Sequence, residues 1–203
     1  MSITQAKRGT LTALTGPFCC GKTKIAERLV ATGEVRKVRT VTTRPPRTHE
    51  INGKHYDFYD DDTFRRAADA GKFLETATIN GFFYGTPRST ILDGLARGRH
   101  FVVCIDPQGI ESLLADRNEL LGEAMITIYL EVSLQEAIGR YLDRDSSFSR
   151  LELERRMKTR ETEETMKHIC QYVIPNPNGM IDEVFQKIRL KIARRKKQLH
   201  TFV

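Results

Sequence analysis

The chain alternates short apolar runs with stretches in which apolar side chains recur every three or four residues. Nearly continuous apolar runs at residues 11–15, 100–105 and 125–131 predict buried strands, because a strand covered on both faces needs apolar side chains at successive positions. Residues 38–42 and 172–174 predict two further strands. Helical spacing predicts helices over residues 24–33, 60–71, 89–97, 110–115, 134–142, 151–169 and 181–197.

Residues 40–89 have a different pattern, which is rich in turn signals. Asn80-Gly81 separates two β-type runs, residues 73–79 and 82–84, and this spacing predicts a hairpin. Strands alternate with helices on both sides of the segment. The order predicts an α/β fold in which a parallel sheet carries an inserted antiparallel lobe, with no linker long enough to separate independent domains.

Hydropathy and charge exclude some classes of protein. No apolar run approaches the roughly 18 residues that a membrane-spanning helix needs. The net charge of +7 is concentrated in the C-terminal segment, since residues 187–203 contain seven basic residues and no acidic residue. We interpret this segment as a solvated helix whose charges favour its own dipole, while contact with RNA or a membrane surface stays open for it. The rest of the chain is neutral, which argues against a nucleic-acid-binding body.

The cysteines and histidines do not form a metal site or a disulfide framework by their spacing. The four cysteines contain no Cys-x-x-Cys pair, and the five histidines are scattered along the chain. The first ten residues lack the apolar stretch of a secretory signal. We therefore expect a cytoplasmic chain with reduced thiols.

The segment between the first predicted strand and the first predicted helix matches the phosphate-binding loop pattern, in which two glycines precede Lys22 and Thr23. Backbone N–H groups of such a loop and the following helix N-terminus form a positive cradle for a polyphosphate. Lys22 would reach the outer phosphates, and the Thr23 hydroxyl would ligate Mg²⁺. The predicted ATP site of this loop consists of Gly16, Pro17, Phe18, Cys19, Cys20, Gly21, Lys22, Thr23 and Lys24.

The middle of this loop is unusual, because Phe18, Cys19 and Cys20 stand where small residues are common. Cys19 would have to adopt a backbone conformation that glycine adopts at lower cost. A thiol at a helix N-terminus beside Lys22 can also become acidic. Two interpretations therefore stay open for these thiols, reactive groups or inert small side chains.

Several motifs after the loop carry the chemistry of an acceptor site. Residues 42–47 (TTRPPR) place Arg44 and Arg47 on a proline-stiffened segment, and guanidinium groups suit a phosphate dianion. Four further motifs follow it in the chain, at residues 53–58 (GKHYDF), 73–75 (FLE), 83–86 (FYGT) and 105–109 (IDPQG). In this order the chain strongly resembles guanylate kinases over about residues 10–190. The resemblance implies a phosphate-loop nucleoside monophosphate kinase core at residues 8–39 and 90–203, a GMP-binding insert at 40–89 and a lid at about 140–156, all in one domain.

The resemblance also implies which residues bind GMP. Arg44, Arg47, Tyr56 and Tyr84 would hold its phosphate. Glu75 would accept the ring N–H and the amino group of guanine. Adenine lacks that pair of donors, so AMP would leave a buried acid unpaired, and this is a strong source of discrimination. The implied GMP site is Thr40, Arg44, Arg47, Tyr56, Glu75, Tyr84, Thr86 and Asp106.

Arginines of the predicted lid complete the implied catalytic set, which is Lys22, Arg44, Arg140, Arg144 and Arg155. The lid arginines are spaced by four and then eleven residues, as in the family, and the adjacent Arg156 could substitute for the last of them. We interpret Arg150 and Arg160 as solvated. Asn176 matches a family asparagine near the adenine of ATP. Cys104 replaces an aspartate of the family, a change that would lower the rate or alter the organisation of magnesium.

These residues predict an active kinase that converts ATP and GMP into ADP and GDP with Mg²⁺. Two alternatives stay open at this point. One is a guanylate-kinase-like module that binds other proteins with weak or no activity, although such modules lack the phosphate loop. The other is a kinase for a different phosphorylated acceptor. The sequence leaves open whether the chain is a monomer or a homodimer.

Overall fold

A computed structural model of the protein describes residues 8–48, 50–79, 81–144 and 150–201. The strands are β1 (Leu11–Thr15), β2 (Arg36–Lys37), β3 (Val41–Thr42), β4 (Asp57–Phe58), β5 (Phe73–Ile79), β6 (Phe82–Pro87), β7 (Phe101–Cys104), β8 (Met125–Glu131) and β9 (Tyr172–Pro175). The helices are α1 (Lys22–Ala31), α2 (Asp61–Asp69), α3 (Arg88–Ala96), α4 (Pro107–Ala115), α5 (Glu119–Ala124), α6 (Leu134–Arg144), α7 (Arg150–Thr165) and α8 (Ile181–Thr201).

The central sheet is parallel, with the strand order β2-β7-β1-β8-β9. Alternate side chains of β1 enter two different hydrophobic cores. Leu14 packs with Ile25 of α1 on one face, and Leu11 packs with Ile91 of α3 on the other. Because both faces are covered, the strand is apolar or threonine throughout, and the predicted α/β fold with a parallel sheet is confirmed.

A second, mixed sheet has the order β4-β3-β6-β5 and is formed by residues 41–87. The predicted hairpin is confirmed, since β5 and β6 pair antiparallel from Ile79 opposite Phe82 to Phe73 opposite Pro87. Asn80 of the predicted turn lies outside the described residues. A register shift next to Phe73 brings Glu75 opposite Thr86, which places both side chains at the end of the hairpin that faces the central sheet's helix α4.

Two predicted elements differ from the structure in extent, and one helix was not predicted. Residues 38–42 do not form one strand, because only Val41–Thr42 lie in a strand (β3), which pairs with β6 in the second sheet, while the preceding β2 pairs with β7 in the central sheet. The chain crosses between the sheets there, and a local apolar pattern does not specify a strand's partner. The predicted helix over residues 151–169 ends at Thr165, before a short 3₁₀ turn at Lys167–Ile169. Helix α5, which is capped by the Asn118 side chain, was not predicted.

The basic C-terminal helix α8 packs on the core through one face. Ile188 and Ile192 are buried, while Leu190 is 70% exposed. Lys196 and Arg189 pair with Glu34, which follows α1 in the chain. None of the helices in the described part of the chain combines the length and hydropathy that a bilayer-spanning segment needs.

Candidate active site

A cavity of about 350 Å³ lies at the carboxyl end of the central parallel strands, where open α/β sheets bind their ligands. Its walls include the loop after β1, the end of β7, residues of the second sheet's lobe and helix α7. Eight of the residues predicted for the ATP and GMP sites line it, and these are Phe18, Lys22, Thr23, Thr40, Tyr56, Glu75, Tyr84 and Asp106. The fold therefore brings the two predicted nucleotide sites into one space.

The phosphate-binding loop joins β1 to α1 and needs glycine at both of its ends. Gly16 has φ 132°, and a Cβ there would lie 2.4 Å from the Leu130 carbonyl oxygen. Gly21 is the residue before α1, has φ 99°, and a Cβ there would lie 2.5 Å from the amide nitrogen of Asn176. Both positions combine a left-handed backbone with close neighbours, which only glycine accepts without strain.

Cys19 is strained in the way that its sequence position suggested. Its φ is 52°, and among the described residues it is the one non-glycine residue with a positive φ. A left-handed conformation costs an L-residue with a side chain roughly 1–2 kcal/mol. The Cys19 carbonyl oxygen accepts a hydrogen bond from Arg140 Nη1 at 3.2 Å. The loop conformation is thus kept despite the strain, and the α6 arginine helps to hold it.

Lys22 begins α1 and turns its ammonium group back over the loop. Nζ donates to the carbonyl oxygens of Gly16 at 2.5 Å and Pro17 at 3.0 Å, and it lies 3.6 Å from Cys20 Sγ. Burial by itself favours the neutral amine, but the nearby Cys20 and Glu163 outweigh it and raise the pKa of Lys22. The lysine therefore stays protonated and supplies a fixed positive charge to the cavity.

The opposite wall holds a buried carboxylate. Glu75 is 6% exposed and accepts a hydrogen bond from the Thr86 hydroxyl at 2.5 Å. Burial raises the pKa of Glu75 to about 7, and the charge of Asp106 adds to this while the Thr86 hydroxyl opposes it. Asp106 itself caps α4 by accepting the Gly109 N–H at 2.7 Å. Thr86 thus supports Glu75 from behind, and Glu75 presents an acceptor with little access to water.

Arg44 lies beside an aromatic group on the same wall. Its guanidinium carbon is 5.6 Å from the centre of the Tyr56 ring, and the rings of Tyr56 and Tyr84 are 6.4 Å apart at an edge-to-face angle of 71°. Arg44 is paired with Glu50 by two hydrogen bonds, of 2.8 and 3.0 Å. Arg47 is exposed, so its side chain faces solvent at the mouth of this region.

A second cavity, of about 830 Å³, lies on the other side of the loop. It is lined by loop residues 18–23 together with Lys24, Arg140, Asn176 and Asn178. Asn176 is buried, and its amide nitrogen donates to the Cys20 carbonyl oxygen at 2.8 Å. Arg140 donates to the Asn176 carbonyl oxygen and to Asn178 Oδ1, both at 2.8 Å. The predicted adenine-side residue is therefore tied directly to the phosphate loop.

Two neighbouring arginines of the predicted lid line different cavities. Arg156, the alternative in the sequence analysis, lines both cavities described above, whereas Arg155 lines a third cavity, which adjoins the first and shares Asp106, Thr159 and Glu163 with it. Successive helical residues point about 100° apart, so the two neighbouring side chains leave the helix in different directions. The side chain of Arg144 and residues 145–149 of the predicted lid lie outside the described part of the chain.

The sequence had suggested a solvated Arg160, but the structure buries this side chain. It is 6% exposed, donates to the Val132 carbonyl oxygen and pairs with Glu164. It joins α7 to the segment after β8 and is therefore structural. Arg150 is exposed and pairs with Glu154 on its own helix, as expected for a solvated helix face.

Other cavity residues were missed by the sequence reasoning. Helix α7 contributes Thr159 and Glu163 to the first cavity, on the same face as Arg156. Their spacing of three, four and seven residues is a helical face that could have been read from the sequence. Nothing in the local pattern showed that this face turns toward the loop rather than to solvent.

Comparisons with known proteins agree with this geometry. The family model described as guanylate kinase matches residues 8–194. A guanylate kinase of the Wolbachia symbiont of Brugia malayi is 35% identical over 190 residues, which cover 90% of this chain and 95% of that protein. The guanylate kinase of Wolbachia pipientis wMel is 32% identical over 204 residues, covering 97% and 99% of the two chains.

A solved structure supports the same assignment. The crystal structure of guanylate kinase from Anaplasma phagocytophilum matches with a TM-score of 0.73 and 26% identity, over 94% of this chain and 87% of that chain. A similar overall fold thus accompanies the sequence match. The chain belongs to the guanylate kinase family and is an ATP-dependent nucleotide kinase.

Proposed function

We propose that this protein transfers the γ-phosphate of ATP to GMP, producing ADP and GDP for guanine nucleotide metabolism in the cytoplasm. The observation that carries the proposal is that Lys22 of the phosphate loop and the buried Glu75 line a single cavity. One group suits a triphosphate and the other suits a base with two adjacent hydrogen-bond donors. A cavity that contains both is suited to transfer between two nucleotides.

On the donor side, the loop and Lys22 bind the ATP phosphates, and Asn176 supports the loop on the adenine side. The residues present fit a magnesium ion. Thr23 is exposed at the start of α1 and lines both cavities. The described residues contain no cluster of three or more acidic, cysteine or histidine groups, so phosphate oxygens would supply most of the metal ligands. Mg²⁺ would be held by the Thr23 hydroxyl and the phosphates, where it neutralises phosphate charge.

On the acceptor side, Glu75 accepts the two guanine donors while Thr86 donates to its other side, and Thr40 and Asp106 complete the surroundings of the base. Arg44, Arg47, Tyr56 and Tyr84 hold the GMP phosphate. The tyrosine hydroxyls donate hydrogen bonds without adding charge, so the two guanidinium groups suffice for the dianion.

Phosphoryl transfer passes through a loose, charge-dispersed transition state, so positioning and electrostatic stabilisation supply most of the catalysis. Lys22, Arg44, Arg140 and Arg144 bring positive charge to the phosphates. We assign the third lid position to Arg156 rather than to Arg155, because Arg156 lines both cavities. Closure of these arginines also excludes water that would otherwise hydrolyse ATP. No general base is required.

A coupled assay with ATP, Mg²⁺ and a set of acceptors tests the proposal. GMP and dGMP should be phosphorylated, while AMP and UMP should be poor substrates, because neither base offers the paired donors that Glu75 accepts. Lys22→Met provides the inactive control. Equal turnover of AMP and GMP would overturn the choice of acceptor, and absence of both turnover and ATP binding would favour a protein-binding module.

A further inference from the structure

Helix α7 presents a carboxylate to the phosphate loop. Arg156, Thr159 and Glu163 occupy one face of the helix, and all three line the cavity that contains Lys22 and Thr23. Glu163 acts electrostatically on the Lys22 ammonium group, and it is the one carboxylate among the groups that do so most strongly. The loop lysine therefore has a negatively charged neighbour from a distant part of the sequence.

The other two carboxylates that line this cavity in the described part of the chain already accept hydrogen bonds from the protein. Glu75 accepts from Thr86 at 2.5 Å, and Asp106 caps α4 through the Gly109 N–H at 2.7 Å. The Glu163 carboxylate accepts no hydrogen bond from the described residues. Burial raises the pKa of Glu163 to about 7, while the positive charge of Lys22 opposes that rise. A half-buried carboxylate that lacks a hydrogen-bond donor is available to a cation.

One residue of the same cavity, Cys104, has an uncharged side chain. Cys104 ends β7, lines the same cavity and also lies within electrostatic range of Lys22. Burial raises the pKa of the Cys104 thiol to about 11, so this side chain carries no charge at neutral pH. The last residue of β7 thus carries no negative charge, and the carboxylate that acts on the lysine most strongly, Glu163, comes from α7.

We propose that Glu163 is a positioning residue of the phosphate-transfer site, where it supplies from α7 the negative charge beside Lys22 that the neutral Cys104 wall lacks. Its charge stabilises the protonated ammonium group, which also donates to the loop carbonyls of Gly16 and Pro17. The same charge favours a divalent cation bound with the nucleotide phosphates. The inference rests on the proposed function, since it concerns the organisation of the same site.

The test compares Glu163→Gln, Cys104→Asp and the double variant with Glu161→Gln, a control at an exposed position of the same helix. Mn²⁺ binding to each protein in the presence of ADP is measured by electron paramagnetic resonance at pH 8, where Glu163 is ionised. The Mg²⁺ dependence of turnover is measured in parallel. Thermal unfolding verifies that each variant is folded.

We expect Glu163→Gln to weaken Mn²⁺ binding by about tenfold and to raise the Mg²⁺ concentration for half-maximal turnover by a similar factor, as for other groups that orient a metal site indirectly. The KM for GMP should stay within about twofold, because the acceptor wall is unchanged. Cys104→Asp should restore most of the loss in the double variant, and Glu161→Gln should behave like the wild type.

Unchanged Mn²⁺ affinity and Mg²⁺ dependence in Glu163→Gln would overturn the inference, whatever the behaviour of the Cys104 variants. A folded double variant that stays as weak as Glu163→Gln would also overturn the claim that the two positions are equivalent. The Mn²⁺ measurement uses ADP without GMP. It therefore reports on Glu163 even if the protein prefers another acceptor, whereas the acceptor profile reports on the proposed function alone.

Discussion

Arg44 Nη2 lies 3.0 and 2.8 Å from the two carboxylate oxygens of Glu50, and the second of these oxygens also accepts the backbone N–H of Arg47 at 2.9 Å. The side chains of the ion pair are only 13% and 8% exposed. One acid thus orders the segment that carries both arginines assigned to the GMP phosphate. The arginines lower the pKa of Glu50, although its burial acts in the opposite direction.

Replacing Glu50 should therefore weaken acceptor binding. Glu50→Gln removes the negative charge that holds Arg44, so the segment must be ordered by GMP itself, and we expect the KM for GMP to rise about tenfold, equivalent to about 1.4 kcal/mol. The KM for ATP should change little. Steady-state kinetics with each substrate varied in turn measures both. Glu34→Gln, which removes an ion pair with Lys196 of α8 far from the site, is the control. A GMP KM equal to that of the wild type would contradict the ordering role.

The binding of GMP should depend on pH through Glu75. Burial raises the pKa of this carboxyl to about 7, and only its ionised form accepts both guanine donors. The KM for GMP should therefore rise as the pH falls from 8 to 6. GMP's own phosphate also gains a proton in this range, so Glu75→Gln serves as the control for that effect. If the pH profiles of wild type and variant are parallel, Glu75 does not titrate in the binding step.

The same carboxyl should reduce stability at alkaline pH. Its pKa is higher in the folded protein than in the unfolded chain, so the folded state binds more protons between about pH 4.5 and 7, and the free energy of unfolding falls as pH rises through that window. Glu75→Gln removes this effect and should stabilise the protein by roughly 2–3 kcal/mol at pH 8. The gain should shrink at pH 5. Urea unfolding at the two pH values measures it, and a loss of stability at pH 8 would argue that Thr86 fully compensates the buried charge.

The neighbouring arginines of α7 should differ in their effect on turnover. Arg156 lines both cavities beside the phosphate loop and is held by a hydrogen bond of its Nε to Glu152 at 3.0 Å, whereas Arg155 lines only the adjoining third cavity. Arg156→Ala should lower kcat about a hundredfold, as expected for loss of a group that stabilises transition-state charge. Arg155→Ala should change kcat by less than about threefold. The reverse order in a kinetic comparison would restore the assignment suggested by the sequence spacing.

Arg160 should matter for folding rather than for turnover. It is 6% exposed and joins α7 to the Val132 carbonyl oxygen. Arg160→Ala leaves that acceptor unpaired and opens a cavity, so it should destabilise the protein by about 2–3 kcal/mol. Arg150→Ala, at an exposed ion pair, should cost less than about 0.5 kcal/mol. Chemical unfolding of the two variants gives the comparison, and equal midpoints would show that the buried contacts of Arg160 contribute nothing.

Local sequence patterns were sufficient for the central strands and for the phosphate loop. A parallel strand that is buried on both faces needs mostly apolar residues or threonine at successive positions, so β1, β7 and β8 were visible as runs. The loop was visible because its glycines and its lysine occupy adjacent positions in the chain. The strain at Cys19 could also be expected, since the loop imposes its backbone conformation on whatever residue stands there.

The chain's order of residues by itself thus determined the fold class, the strand-loop-helix unit that binds phosphate and the family to which the protein belongs. The tertiary structure alone decided that residues 36–42 divide between two sheets, that Arg156 rather than Arg155 faces the loop, and that Glu163 lies near Lys22. Those relationships depend on the rotation of α7 and on pairing between strands. Both are set by packing between segments far apart in the chain, which a local periodicity does not contain.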